Sequence, residues 1–149
     1  MQIRPAVAAD SAVLTELALR SKAHWGYDAA FMDACRDELT VTPDQIVERT
    51  MLVAEEGGRL VAMAGLEPDA DVLGLWNMFV TPECIGTGLG GVLFRAIADK
   101  AREAGARCLY IDSDPNARPF YEHMGARLVS ESPSDSIPGR TLPRLRLDL

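Results

Sequence analysis

The residues best suited to chemistry are the glycines of one short loop. Residues 86–91 read Gly-Thr-Gly-Leu-Gly-Gly, after an apolar run from Val72 to Val80 and before an amphipathic run. The pattern predicts a strand, a loop and a helix in that order. Glycine allows a positive φ and a close approach of a ligand to the backbone, and a helix N-terminus adds partial positive charge. The stretch therefore predicts a binding site for a phosphate group.

Other kinds of glycine loop fit the spacing less well. Residues 86–91 formally satisfy G-x-G-x-x-G, but the dinucleotide fingerprint places its first glycine directly after the strand of an opening βαβ unit. Here residues 81–85 intervene and the preceding strands form a meander. A Walker P-loop is excluded because no Gly-Lys-Ser/Thr follows the glycines. A purely structural loop stays open as an alternative.

A second motif lies downstream. Residues 116–126 read Asn-Ala-Arg-Pro-Phe-Tyr-Glu-His-Met-Gly-Ala, and Val80 is followed by Thr-Pro before the glycine loop. Together these two motifs resemble the acetyl-CoA loop and the late Asn…Phe-Tyr-Glu-x-x-Gly-Phe motif of the GNAT superfamily of N-acetyltransferases. The predicted order of elements is similar as well, so the resemblance covers the whole chain. Residues 21–32 and 136–145 are similar to a bacterial subgroup whose substrate is undefined.

The resemblance implies acetyl-CoA as co-substrate, with no metal. Pyrophosphate would lie on the loop amides, and pantetheine would pair like an added strand in a gap that opens between residues 72–80 and 107–112, beyond Val80. The implied cofactor-binding residues are Met78, Phe79, Val80, Gly86, Thr87, Gly88, Leu89, Gly90, Gly91, Asn116 and Phe120.

By the same resemblance, Tyr121 would be the catalytic acid that protonates the leaving thiolate. A phenol with a pKa of about 10 suits a thiolate whose conjugate acid has a pKa of about 8–9. The acetyl group would pass to a primary amine of a small molecule or peptide by direct attack through a tetrahedral intermediate. The alternative for Tyr121 is an aromatic packing residue on a short helix.

The acceptor pocket is expected between the first helices and the loop at 132–140. The candidate substrate-binding residues are His24, Trp25, Tyr27, Asn77 and Asp112. The first three could equally cover the edge of the core. His24 is also a candidate base because its pKa lies near neutrality, with Glu38, Glu67 and Asp112 as rivals.

Two residues depart from the family pattern. Ile85 stands directly before the first glycine, where the family usually has Arg or Gln. Gly74 stands near the strand position at which the family often has a glutamate base. These departures leave a second function open, a non-catalytic acyl-CoA sensor of the same fold.

The elements around these motifs predict the fold. Amphipathic runs predict helices near 11–22, 28–39, 43–48, 89–104 and 117–124, and apolar or alternating runs predict strands near 2–4, 51–55, 60–66, 72–80, 107–112, 127–131 and 141–149. Asp10, Thr42 and Asn116 are the expected N-caps, and Gly105 and Gly125 the expected helix stops. The fold class is α/β (α+β): a mixed, mostly antiparallel sheet of six to seven strands with helices on both faces.

Composition bounds the remaining possibilities. The 149 residues carry a formal net charge of −7, and no basic stripe marks a nucleic-acid surface. The three cysteines, Cys35, Cys84 and Cys108, are far apart and favour reduced thiols in a cytoplasmic protein. No signal peptide is apparent, and no run approaches the roughly 18 apolar residues of a membrane span. We expect a single domain over residues 1–149, as a monomer or homodimer, with no nucleic-acid or membrane partner.

Overall fold

The computed structural model describes residues 1–149 and contains one seven-stranded sheet. The strands are β1 (Gln2–Pro5), β2 (Thr50–Glu56), β3 (Arg59–Asp69), β4 (Val72–Val80), β5 (Cys108–Asp112), β6 (Arg127–Pro133) and β7 (Thr141–Asp148). The helices are α1 (Ser11–Ala23), α2 (Ala29–Leu39), α3 (Pro43–Glu48), α4 (Leu89–Glu103) and α5 (Arg118–His123). None of the helices is both long and apolar enough to span a membrane.

The sheet has the order β1-β2-β3-β4-β5-β7-β6, with β4 and β5 as its one parallel pair. The other neighbouring strands are antiparallel, which confirms the predicted mixed and mostly antiparallel sheet. The β2–β3 hairpin closes through Gly57 and Gly58, whose φ angles are 58° and 78°. Two consecutive positive φ angles suit the tight turn that Gly-Gly predicts.

Helices cover both faces of the sheet, as predicted. Helices α1 to α3 pack on one face, against Met51, Val53, Met63 and Trp76. Helices α4 and α5 pack on the other face, against alternate residues of the same strands, including Leu52, Ala64 and Leu66. We call these the α1–α3 face and the α4–α5 face.

Strands β4 and β5 are paired over a very short distance. Only Leu73 with Leu109 and Gly74 with Tyr110 form the parallel ladder. The strands therefore separate from Leu75 onward, and the predicted separation beyond Val80 is wrong by several residues.

A bulge in β4 lies within the separated segment. Asn77 and Met78 stand opposite Ala64 alone, and Asn77 has a φ of 44°. The extra residue turns the strand locally. The Asn77 side chain donates to the backbone oxygen of Leu39 at 3.2 Å, which holds the bulge against the end of α2.

The ends of the helices agree with three of the predicted caps and stops. Thr42 caps α3 in a capping box with Gln45, and Gly105 (φ 87°) and Gly125 (φ 102°) end α4 and α5, as predicted. Asp10 precedes α1 but makes no side-chain cap hydrogen bond there.

Two predicted caps are wrong because other partners engage their side chains. The Asp10 carboxylate accepts from the backbone of Val7 and pairs with Arg4 at 2.9 Å. Ala117 occupies the N-cap position of α5, without a side-chain cap. Asn116 donates to Asp114 instead.

Helix α4 buries most of the apolar stripe that its periodicity predicts, which consists of Leu89, Val92, Leu93, Ala96, Ile97 and Ala101. Ala101 is buried and Ala96 is half-buried. Leu89, Leu93 and Ile97 are buried, but Val92, expected in the stripe, is 43% exposed. Phe94 and Ala98 are buried in its place. The stripe lies one residue further round the helix than the sequence pattern indicates.

Candidate functional site

A cleft of about 920 Å³ opens where β4 and β5 separate. It is lined by the glycine loop and α5 on the α4–α5 face, and by residues of α1, α2 and α3 on the α1–α3 face. The cleft therefore connects the two faces of the sheet through the gap. Such a passage can bring two substrates together from opposite sides.

At one end of the cleft the backbone offers hydrogen-bond donors. Gly86 and Gly88 have φ angles of 81° and 87°, which only glycine adopts without strain. The amide groups of Gly86, Gly88, Gly90 and Gly91 donate no hydrogen bond within the protein, and all four residues line the cleft. Unpaired amides at the start of α4 form a site for a negatively charged group.

Packing around the glycine loop explains its other residues. The Thr87 hydroxyl donates to the backbone oxygen of Cys84 at 2.6 Å and holds the loop closed. A Cβ at Gly90 would lie 3.4 Å from the Phe120 ring and 3.5 Å from Val80. The glycine therefore lets the start of α4 approach α5 and the end of β4 closely. Thr87 and Leu89, both predicted to bind the cofactor, do not line the cleft.

The position before the first glycine is apolar, and a cation lies elsewhere. The Ile85 side chain lines the cleft and is 41% exposed. Arg95, one turn beyond Gly91 on α4, also lines the cleft and has no carboxylate partner in the structure. Its Nη1 atom lies 3.7 Å from the position of a Cβ at Gly91. The sequence pattern predicts only that Arg95 faces water, since helical periodicity does not show which exposed residues border a cleft.

The edge of β4 is free along the gap. Met78, Phe79 and Val80 line the cleft, and beyond Gly74 the strand has no ladder partner on its β5 side. Backbone groups on that side are open to an extended ligand that pairs like a strand.

Tyr121 reaches the cleft from the first turns of α5. Its side chain is 6% exposed, and its ring lies 5.2 Å from that of Phe120 and 5.7 Å from that of Phe94. The Tyr121 hydroxyl has no hydrogen-bond partner in the protein. Every fully buried side-chain polar atom in the structure does have a partner, so this hydroxyl is not fully buried. The hydroxyl therefore lies on the cleft wall. Burial and the charge of Asp114 raise the pKa of Tyr121, so it stays protonated well above neutral pH.

A charged network borders the cleft between the first helices and α5. Asp114 accepts from Lys22 at 2.7 Å and from Tyr27 at 2.8 Å, and Arg140 donates to the Tyr27 hydroxyl at 3.0 Å. Burial opposes ionisation of Asp114, but the hydrogen bond and charge of Lys22, with further hydrogen bonds from Asn116 and Tyr27, hold its pKa below the ordinary value. The network joins α1, the α1–α2 turn, the β5–α5 loop and the loop before β7.

The predicted acceptor residues divide into two groups. Trp25, Asn77 and Asp112 line the cleft. His24 and Tyr27 do not: His24 packs its ring edge on Trp25, and Tyr27 stacks on Phe31 with ring centroids 4.0 Å apart. The structure therefore does not bring His24 or Tyr27 to the cleft surface.

Glu67 lines the cleft on the α1–α3 face. Its carboxylate pairs with Arg49 at 3.0 Å, and the Arg49 guanidinium lies 4.7 Å from the Trp76 ring centroid. Burial raises the pKa of Glu67. The sequence names Glu67 as a rival base but gives no reason to prefer it.

The chain is similar in sequence to known acetyltransferases. A sequence model of the Acetyltransferase (GNAT) family matches residues 17–126. The chain is 32% identical over 87 residues to the uncharacterized N-acetyltransferase YhfO of Bacillus subtilis, an alignment that covers 52% of this chain and 58% of YhfO. The matched part therefore spans less than two thirds of that relative.

Solved structures share the fold over nearly the whole length. The PaiA N-acetyltransferase of Thermoplasma acidophilum, solved with coenzyme A, superposes with a TM-score of 0.81 at 16% identity and covers 99% of this chain and 98% of its own. YncA of Salmonella typhimurium, solved with its cofactor acetyl-CoA, gives 0.70 at 24% identity and covers 99% and 93%. At these identities the likeness establishes the fold.

Proposed function

The chain belongs to the GNAT acetyltransferase family, and from that premise we propose that it transfers the acetyl group of acetyl-CoA to a primary amine of a small molecule or peptide. The observation that carries the proposal is the cleft through the sheet. It has unpaired loop amides at one end, a partnerless tyrosine hydroxyl on its wall and carboxylates on the opposite face.

The residues at the glycine loop fit the phosphates of acetyl-CoA. The four unpaired amides can donate hydrogen bonds to the pyrophosphate. Arg95 supplies a cation at the cleft, which offsets the lack of a polar side chain at Ile85. The open edge of β4 at Met78 to Val80 suits the amide groups of pantetheine. Phe120 and Asn116 border the same cleft and would contact the cofactor. When bound, acetyl-CoA supplies an activated acyl group.

The chemistry then requires the nitrogen to lose two protons and the sulfur to gain one. The first proton leaves the ammonium group so that the nitrogen can attack the thioester carbonyl. The second leaves the same nitrogen as the tetrahedral intermediate collapses and the carbon–sulfur bond breaks. Tyr121, whose hydroxyl has no protein partner, donates its proton to the departing sulfur, and the second proton lost by the nitrogen restores the phenol. Trp25, Asn77 and Asp112 lie where they would contact the acceptor.

Release of free CoA thiol from acetyl-CoA, measured with a panel of primary amines, tests the proposal. We expect release that depends on both the amine and the enzyme. A protein that acetyl-CoA stabilises against heat without any amine-dependent release would be an acyl-CoA sensor instead. Stabilisation by NAD but not by acetyl-CoA would rule out both.

A further inference from the structure

Glu67 stands at the point where the cleft opens. On β3 it is the register partner of Gly74, the last residue of β4 that pairs with β5. A Cβ at Gly74 would lie 3.5 Å from the Asp69 Cβ atom and 3.7 Å from the Glu67 Cγ atom, which are ordinary contact distances. Gly74 therefore lies directly beside the side chains of both acidic residues of β3.

The two faces of the sheet separate Glu67 from Tyr121. Residues Met63 and Trp76 pack on the α1–α3 face, and strand alternation and register place Glu67 on the same face. Tyr121 belongs to the core on the α4–α5 face. The cleft that joins the faces is lined by both residues. One proton-transfer group thus lies on each side of the gap.

The groups around Glu67 favour a cationic ligand. Arg49, at the end of α3, pairs with it, while the carboxylates of Asp69, Asp112 and Asp135 face it from β3, β5 and the loop before β7. Arg144 of β7 pairs with Asp69 at 2.7 Å and with Asp112 at 3.1 Å. Four carboxylates therefore share two guanidinium groups at the acceptor side of the cleft.

The rival acids also have partners within the protein. Asp112 accepts from Arg144 and from the Ser132 hydroxyl. Glu38 accepts from the Ser136 hydroxyl, and Asp114 is held by Lys22. Glu67 has one cationic partner, Arg49. Burial raises the pKa of Glu67, the charge of Arg49 lowers it by a smaller amount, and the neighbouring carboxylates raise it further.

We propose that Glu67 is the catalytic base that takes the proton from the acceptor ammonium, an assignment that rests on the proposed function. The ammonium N–H bond breaks and its proton passes to a carboxylate oxygen of Glu67. The nitrogen lone pair forms the new carbon–nitrogen bond, and the thiolate that leaves takes its proton from Tyr121. A second N–H bond breaks as the amide forms, and that proton restores the Tyr121 phenol. The acceptor therefore enters from the α1–α3 face as a cation.

Glu67→Gln tests the assignment through the pH dependence of kcat/KM. At neutral pH we expect a loss on the order of 10²-fold, with the heat stabilisation by acetyl-CoA retained. In the wild type, kcat/KM should level off once Glu67 is ionised. In Glu67→Gln it should keep rising roughly tenfold per pH unit, because the substrate must then bind as the free amine.

The matched control is Glu55→Gln. Glu55 is also a strand glutamate paired with an arginine, Arg4, at 3.6 Å, but it lies outside the cleft, so this variant should keep the wild-type pH profile. If Glu67→Gln does not fold, Glu67→Asp keeps the charge that faces Arg49 and should lose roughly tenfold by misplacing the carboxylate.

The outcomes separate the assignment from the proposed function. If the wild type is active and the kcat/KM of Glu67→Gln stays within threefold of the wild-type value, with the same pH dependence, Glu67 is not the base. The proposed function would then still stand. Unchanged kcat/KM in Glu67→Asp would do the same. A wild-type protein that releases no CoA with any amine would instead overturn the proposed function.

Discussion

Tyr121 combines tight ring packing with a hydroxyl that has no protein partner. Tyr121→Phe keeps the ring and removes only the hydroxyl, so stability should change by less than about 0.5 kcal/mol. The value of kcat should fall on the order of 10²-fold, because the hydroxyl is the proposed proton donor to the leaving thiolate. Thermal unfolding and steady-state CoA release measure the two effects separately.

Tyr110→Phe is the matched control for this prediction. The Tyr110 hydroxyl accepts from Arg146 at 3.4 Å and lies outside the cleft, so its removal should leave kcat unchanged. Equal activity in Tyr121→Phe and the wild type would show that Tyr121 is a packing residue.

At the scale of residues, the sequence motifs named the glycine loop and Tyr121 as candidate site residues. They did not identify Arg95 and gave no reason to prefer Glu67. The glycines and the tyrosine belong to short contiguous motifs that can be read directly. Glu67 and Arg95 depend on the register between β3 and β4 and on the rotation of α4 against its neighbours. The register and the rotation both depend on contacts between separate segments. The sequence pattern of one segment therefore could not show that Glu67 and Arg95 lie in the cleft.

Helix α4 carries a left-handed glycine at each end, which allows a matched comparison. Gly88 and Gly105 both have a φ of 87°, and a Cβ at either would meet no atom within 4 Å. Gly88→Ala and Gly105→Ala should therefore lose a similar stability, about 1 kcal/mol. Only Gly88→Ala should raise the KM for acetyl-CoA, because Gly88 lines the cleft at the proposed phosphate site and Gly105 does not.

Chemical denaturation and KM measurement on both variants check this prediction. If both variants raised the KM equally, the effect would come from helix stability rather than from the loop. An unchanged KM in Gly88→Ala would remove the loop from the cofactor site.

At the scale of elements, the cap whose two side chains form one capping box was predictable, and the two caps whose side chains have competing partners were not. Thr42 and Gln45 form their capping box within four residues. Asp10 is diverted by Arg4 of β1, and Asn116 by Asp114 and by Tyr27 of the α1–α2 turn. In both cases the competing hydrogen bonds, including those to Val7 and Asp114 only two or three residues away, outweighed the preference for the helix cap.

Over the whole molecule, the Asp114 network ties the N-terminal helices to the C-terminal half. Asp114→Asn would leave Lys22 and Arg140 without their carboxylate, and it should lower the free energy of unfolding at pH 7 by about 3 kcal/mol. The folded pKa of Asp114 is lowered, so its contribution is complete above the unfolded value of about 3.9 and is lost as pH falls through the folded value.

Denaturant titrations at pH 7 and near pH 3 measure this effect. The difference between Asp114→Asn and wild type should shrink at the lower pH. As a control, Asp148→Asn removes an exposed partner of Arg127 and Arg146 and should cost less than about 1 kcal/mol. A difference for Asp114→Asn that grew as pH fell would contradict the network's role.

The overall architecture could be predicted because the hydrophobic periods and turn residues agree along the chain. The strand at 72–80, the glycine loop and the helix from 89 lie where the patterns indicate. The early separation of β4 from β5 and the bulge at Asn77 could not be predicted, because nothing in either strand alone shows where pairing stops. These two features create the cleft.

The transfer of labelled acetyl to an acceptor nitrogen is the decisive test of the proposed acetyltransferase activity. The protein is incubated with acetyl-CoA that carries an isotopic label in the acetyl group and with each amine that promotes CoA release, and the products are identified by mass spectrometry. We predict that the label appears in an amide of the acceptor, in amounts equal to the CoA released. Label recovered only as free acetate would show hydrolysis of the thioester and would contradict transfer to nitrogen.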